Sequence, residues 1–278
     1  MSASHRRLQP KWVAVSMIAT VVVTAAGFSA PAPASATVAA PPVNATFDYQ
    51  IGGSYQPAPA VTVVDRDRRA RPAQGKYNVC YVNAFQAQPE ELRWWKRHHR
   101  GLLLRKRGKL VKDTGWNEVL LDTSSGRQRR GIAAVVNRWV GRCASKGFRA
   151  VEFDNLDSNV RSRGQLRLAD NLKLARLLVR HAHRVGLAAG QKNAVELGRR
   201  GRDVAGFDFA IAEECERYRE CGRYQAVYGR HVIEIEYTDY PGAVFVRACQ
   251  ARGSQISIIR RDREVRQRGR AGYYFQSC

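Results

Sequence analysis

Three carboxylates stand close together in the stretch VEFDNLDS, residues 151–158: Glu152, Asp154 and Asp157. Ionised carboxylates are costly to bury unless paired, so acids at the end of an apolar segment mark where the chain leaves the core. Other apolar segments end in the same manner, at Asp122 in LLDTSS, Lys192 in GQKN, Glu213 and Glu214 in AEEC, and Glu236 in EIEY. Such a residue can simply cap the next helix, a reading open to Asp122 and Asp157. If the strand ends converge, the acids instead line one polar cleft. Two carboxylates across a sugar ring can break a glycosidic bond, one as the proton donor and the other ionised to attack or to activate water. Like charges at close range raise one pKa and divide the roles. Lys192 would then keep a neighbouring acid ionised, or serve as a structural ion pair. Asp154 and Asp157 could also ligate a hard cation, but no His falls at a strand end. A G-x-S-x-G elbow and a phosphate-cradling loop are both missing. Acid/base work on carbohydrate is what remains, with no metal or cofactor called for.

Elements that would position these residues recur along the chain. Short apolar runs lie at 47–53, 61–67, 77–85, 117–125, 149–157, 186–193, 207–215, 231–237 and 255–262, several without strict alternation, as in parallel strands buried on both faces. Between them are helical stripes, Ile132, Val135, Val136, Trp139, Val140 and Cys143 in one and Leu174, Leu177, Leu178, Ala182 and Val185 in another, with Gly186 placed to end the second. Lys173, Arg176, Arg180 and Arg184 form the opposite, solvated face of that second helix. Alternating strands and helices over this length predict an α/β fold, a single-domain (β/α)8 TIM barrel spanning 47–278. Nine runs are one too many, so one early segment is expected at the periphery. An open doubly wound sheet is the alternative, but the first turn lacks its glycine fingerprint.

The N-terminus reads as a processing segment. Arg6, Arg7 and Lys11 precede the apolar run Trp12–Ala26, and Ala34-Ser35-Ala36 forms an A-x-A signature, so residues 1–36 are expected to be a secretory signal peptide cleaved after Ala36. The run is short for a membrane span. Residues 37–46 read as a flexible Pro/Ala-rich leader. The formal charge of +23 attracts polyanions, such as an anionic cell-surface polymer, while nucleic-acid motifs are lacking. Export suits disulfides among the six cysteines, with fifteen connectivities open. Cys215 with Cys221 is the best pair; Cys80 with Cys143 and Cys249 with Cys278 are plausible. Zinc is the competing reading, without paired CxxC spacing in its favour.

The segments GFRAVEFDNLDS, AHRVGLAAGQKN, FDFAIAEECERYRECGRY and HVIEIEY, preceded by DYQIGG, VVDRD and VCYVNAFQ, resemble the endo-α-1,4-polygalactosaminidase family, glycoside hydrolase family 114. The likeness covers most of 47–237, and its D-N-x-D, x-K-N and E-x-C-x-x-Y-x-x-C elements are specific in this order. It implies a secreted barrel that cleaves α-1,4-linked galactosamine polysaccharide within the chain and with retention. By position it implies Asp154 as nucleophile and Glu213 as general acid/base. Asn155 and Asp157 would orient the first carboxylate or bind hydroxyls, Lys192 and Asn193 would line the cleft, and Cys215–Cys221 would pin the loop after Glu213. Tyr49 and Tyr218 are candidates to stack on a sugar, and Asp122 and Glu236 join the set as strand-end acids. The chain departs from the family at Ala212, where Asn precedes the acid, so a hydrogen bond to Glu213 is either lost or supplied by another group. Phe153 replaces Pro in the D-N-x-D segment, a change of packing. A barrel that binds an anionic polymer without cleaving it is the second reading.

Overall fold

The computed structural model describes residues 38–278; the expected signal peptide lies outside the described residues. Eight strands run parallel and in chain order around the sheet: β1 Phe47–Gln50, β2 Val63–Asp67, β3 Tyr77–Asn83, β4 Ala150–Asp154, β5 Ala188–Lys192, β6 Phe209–Glu213, β7 Val232–Tyr237 and β8 Ser257–Arg261. An antiparallel ninth strand, β9 Phe275–Ser277, pairs with the free edge of β8. The result is a nearly closed (β/α)8-type barrel, as the alternation of strands and helices predicts. No ladder joins β1 to β8; side chains close the seam. The buried Arg261 guanidinium reaches across from β8 to the Asp48 carboxylate and the Tyr49 carbonyl on β1, and also holds the carbonyls of Tyr274 and Arg266.

The surplus apolar run is the one at 117–125. Residues 118–120 pair with 86–87 and 112–113 in a small three-stranded sheet, part of a long excursion between β3 and β4. That excursion also carries helix α1, Leu92–His98, and ends in α2, Gly126–Lys146. Helices α3 (Leu168–Arg184), α4 (Cys221–Tyr228) and α5 (Gly242–Arg252) follow β4, β6 and β7. The stripe predicted for α2 is buried throughout, the Ser125 hydroxyl accepts from the Gln128 amide at its start, and Gly147 ends it at φ 95°. Each large, wholly buried side chain on these faces contributes on the order of 1.5–3 kcal/mol.

Strand residues alternate cleanly. Phe209 and Ile211 point into the barrel while Ala210 and Ala212 face the helices, and Ala150 and Val151 divide likewise on β4. Gly190 on β5 leaves its inward position empty because the Phe209 ring fills it: a Cβ there would lie 2.7 Å from the ring. Residues 38–46 are not the loose leader expected of them. Val38 and Ala45 pack on the barrel core, Tyr77 donates to the Ala39 carbonyl at 2.6 Å, and the Ala45 amide donates to Ser257 Oγ at 2.9 Å. The segment thus covers the N-terminal mouth of the barrel, where apolar inward faces would otherwise meet water. All three disulfides form as paired above: Cys80–Cys143, Cys215–Cys221 and Cys249–Cys278. With every cysteine bonded, none is left as a zinc ligand. Among the described residues no helix is long and apolar enough to cross a membrane.

Candidate active site

The C-terminal ends of the strands surround a cleft of about 380 Å³. At its floor the Lys192 ammonium, 2% exposed, sits between three carboxylates. It donates to Glu152 Oε1 at 2.7 Å and lies 3.5 Å from Asp154 Oδ1 and 3.6 Å from Glu213 Oε1. All are inward-facing strand residues, the last ones of β4, β5 and β6 together with Glu152 two places below Asp154. Each strand leaves the barrel through a left-handed residue that follows at once: Asn155 at φ 65°, Asn193 at φ 48° and Glu214 at φ 58°. Asn adopts that region at little cost, whereas Glu does not, and Glu214 is pinned there by Arg217 and Arg263. The sharp turn aims the preceding side chain into the cleft.

Each of the two outer carboxylates has its own orienting shell. Tyr81 donates to Asp154 Oδ2 at 2.6 Å, and Asn155 closes on the same oxygen at 3.5 Å. Burial would push the Asp154 carboxyl up, but the Lys192 charge and the Tyr81 hydrogen bond outweigh it and hold the group below the usual carboxylate range. Asp154 is therefore ionised at neutral pH. Burial likewise disfavours the Lys192 ammonium, yet Asp154, Glu152 and Glu213 together keep it firmly protonated. Glu213 receives the Tyr237 hydroxyl on Oε1 and the Asn193 amide on Oε2 at 2.9 Å, while Asn193 Oδ1 accepts from the Glu213 backbone at 2.9 Å. Deeper in the barrel Asp65 is wholly buried, and burial together with the charge of the adjacent Glu152 pushes its carboxyl well up.

Asp154, Asn155, Asp157, Lys192, Asn193 and Glu213 all line the cleft. Asp157 is tied to Arg161 at 2.7 Å rather than standing free. Four other expected residues do not line it. Asp122 lies just past a strand of the peripheral sheet and accepts from Ser124 N and Gln128 Nε2, which ties the turn ahead of α2 to its first residues. Tyr49 lies beneath the cleft inside the barrel, bonded to Glu152 and Lys192, so its ring has no open face for a sugar. Glu236 points outward because Tyr237 beside it points inward; its carboxylate accepts the Glu216 amide at 3.0 Å. Tyr218 is exposed on the loop after β6, with the Arg217 guanidinium over its ring at 4.8 Å, and lies outside the cleft wall.

Residues not anticipated from the sequence complete the wall. Tyr81 and Tyr237 supply the hydroxyls just described, and their signals were the alternations Val79–Tyr81–Asn83 on β3 and Ile233–Ile235–Tyr237 on β7. Glu118, from the peripheral sheet, accepts from Asn83 at 2.8 Å and Asn155 at 3.1 Å, and burial pushes its carboxyl up to about 7. Trp116, a lone Trp in a turn, stands 56% exposed at the rim. The Ala212 departure is also resolved: this position faces the outer core, so an Asn there would point away from Glu213, and Asn193 supplies the amide instead. Phe153 packs in the same outer core.

Residues 28–278 match the glycoside-hydrolase family GH114. Among solved structures, Ega3 from Aspergillus fumigatus, determined in complex with galactosamine, is similar at a TM-score of 0.67 and 19% identity, over 87% of this chain and 97% of that one. The glycoside hydrolase domain of PelA from Pseudomonas aeruginosa is similar at a TM-score of 0.55 and 13% identity, over 81% of this chain and 97% of that one. At these identities the two structures bear on the fold alone. Among curated proteins no relative matches the sequence.

Proposed function

The chain belongs to glycoside-hydrolase family GH114 and is a glycoside hydrolase, and on that premise we propose that it is a secreted, retaining, endo-acting enzyme on α-1,4-linked galactosamine polysaccharide. The observation that carries the chemistry is the pair of carboxylates, Asp154 and Glu213, joined at the cleft floor by one ammonium. Asp154, ionised and oriented by Tyr81, is the nucleophile. Glu213, held by Tyr237 and Asn193, protonates the departing glycosidic oxygen as Asp154 Oδ bonds to the anomeric carbon. Glu213, now deprotonated, then takes a proton from water as the water oxygen displaces Asp154 from the sugar. A shared counter-ion draws the two groups together, which suits retention; inversion needs them about 6.5–9.5 Å apart to admit a water.

The cleft's polar wall supports an amino-sugar substrate. The carboxylates of Asp154, Asp157 and Glu264 stand in it beside Glu118 and Glu213, interleaved with Arg161, Lys192 and Arg263, so an amino sugar meets carboxylates there although the chain as a whole is basic. Trp116 offers a stacking face at the entrance. The basic exterior supports a further reading, contact with an anionic extracellular polymer, which leaves the cleft free for hydrolysis. Three disulfides and the N-terminal sequence support export, and the secreted protein is expected to begin at Thr37 by N-terminal sequencing.

Mass spectrometry of oligosaccharides released from deacetylated and N-acetylated galactosamine polymer tests the assignment. Wild type should release mixed internal fragments early, with the α-anomer first in NMR. Asp154→Asn and Glu213→Gln should each lose at least about a thousandfold in rate while remaining folded. No release by folded wild type from either polymer would refute the substrate, and full activity in either variant would refute the pair.

A further inference from the structure

A second concavity, of about 270 Å³, lies outside the cleft between the turn after β2, α1 and α2. Trp139 of α2 forms its floor. Trp94 of α1, 37% exposed, stands beside it with ring centroids 6.2 Å apart, and Trp95 packs beneath both. The Arg68 guanidinium lies over the Trp139 ring at 4.0 Å and is paired with the Glu91 carboxylate. Arg138 and Arg142, one turn apart on α2, are exposed, and among the described residues neither forms an ion pair. The site thus combines an open aromatic face, one guanidinium already holding a carboxylate, and two more without a counter-charge.

We propose that this is a binding site for a polysaccharide that carries carboxylates on pyranose rings, a polyuronate. The indole of Trp94 suits the C–H face of a sugar ring, and a guanidinium fork matches a carboxylate with two parallel N–H bonds. A polymer of phosphates without rings would engage the arginines and leave Trp94 idle. The other basic surface, Lys173, Arg176, Arg180 and Arg184 on α3, has charge without an aromatic platform and serves as the natural control. The site also borders the cleft: Gln88 lines the cleft and Glu91 lines the second site, three residues apart on one turn. A polyuronate held there lies beside the cleft entrance, where an amino-sugar polymer bound to it by opposite charge would be delivered. The inference rests on the reading that the exterior contacts an anionic polymer, and is independent of which carboxylate does what in the cleft.

Titration calorimetry with polygalacturonate tests it, using Asp154→Asn protein so that binding is read without hydrolysis. Dextran and a single-stranded oligonucleotide are the comparison ligands. Arg138→Glu with Arg142→Glu, and separately Trp94→Ala, should each weaken polygalacturonate binding about tenfold or more. Arg176→Glu with Arg180→Glu, the same change of charge, should shift it by less than about twofold. Dextran should not bind. Equal loss in the two arginine pairs, unchanged binding in Arg138→Glu with Arg142→Glu, or tighter binding of the oligonucleotide would each overturn the proposal. Separately, Arg138→Glu with Arg142→Glu in the unaltered enzyme should leave hydrolysis of soluble galactosamine polymer unchanged; a matching loss there would place these residues in the cleft's machinery instead.

Discussion

Lys192 is the residue on which the proposed chemistry turns. Its nitrogen is within ion-pair distance of Glu152, Asp154 and Glu213, and among the described residues no other cation reaches all three. Removing it leaves buried carboxylates without their counter-charge, so Lys192→Met is expected to cost about 3–5 kcal/mol by denaturant unfolding. The pH profile gives a more specific readout. Lys192 holds Asp154 below its usual 3.8, so the stability due to that ion pair is present above this value and lost as pH falls through the lowered one. Without Lys192 the Asp154 pKa rises, and the acid limb of kcat/KM should move to higher pH. An unmoved acid limb would mean that ionisation of Asp154 does not set it.

At the scale of elements, β7 and the loop after β6 show what the sequence revealed and what it hid. That β4, β5 and β6 end in charged residues, and that β7 carries one next to its last residue, is legible by eye, because an apolar run closed by a charge is a local pattern. Which side of the barrel each acid faces is not local: it depends on the phase of the strand's alternation. Glu213 ends β6 in the inward phase, while Glu236 on β7 is one place out of phase and lies with Glu234, Glu216 and Arg252 beneath the disulfide loop. Asp122 was misplaced for a related reason, since strands two or three residues long in the 84–125 excursion mimic a barrel strand in composition. Burial and the nearby Glu234 push the Glu236 carboxyl up to about 8, and the two acids titrate as a pair. A value raised above the ordinary 4.5 means that the stabilising effect is complete below that pH and lost as pH climbs towards about 8. The melting temperature is expected to fall across this window in wild type and to fall less in Glu236→Gln. Identical slopes would remove Glu236 as the cause.

For the molecule as a whole, closure of the barrel is the feature least visible beforehand. Strand order, helix stripes and the family resemblance all point to a barrel, and none announces that its last gap is bridged by a side chain. Arg261 is wholly buried and holds Asp48 and the Tyr49 carbonyl across that gap. Arg261→Met should destabilise by about 3–5 kcal/mol and open the β1 edge, read as faster amide exchange in β1 than in β4. Exchange that speeds up evenly over all eight strands would argue against a seam. The packing of residues 38–46 against the opposite mouth escaped notice for a similar reason: a Pro/Ala-rich composition describes a chain's intrinsic looseness, not the surface it later finds.

The three disulfides join each cysteine to the next one in the chain, first with second, third with fourth and fifth with sixth. Loops closed in this way follow one another and never interlock. A polypeptide that emerges N-terminus first therefore presents every cysteine with its correct partner before any wrong one further along has appeared. Of the fifteen possible connectivities, the native one is what oxidation in order of arrival produces. Maturation is then expected to need an oxidant without reshuffling, so the yield of native protein should be the same with and without a disulfide isomerase.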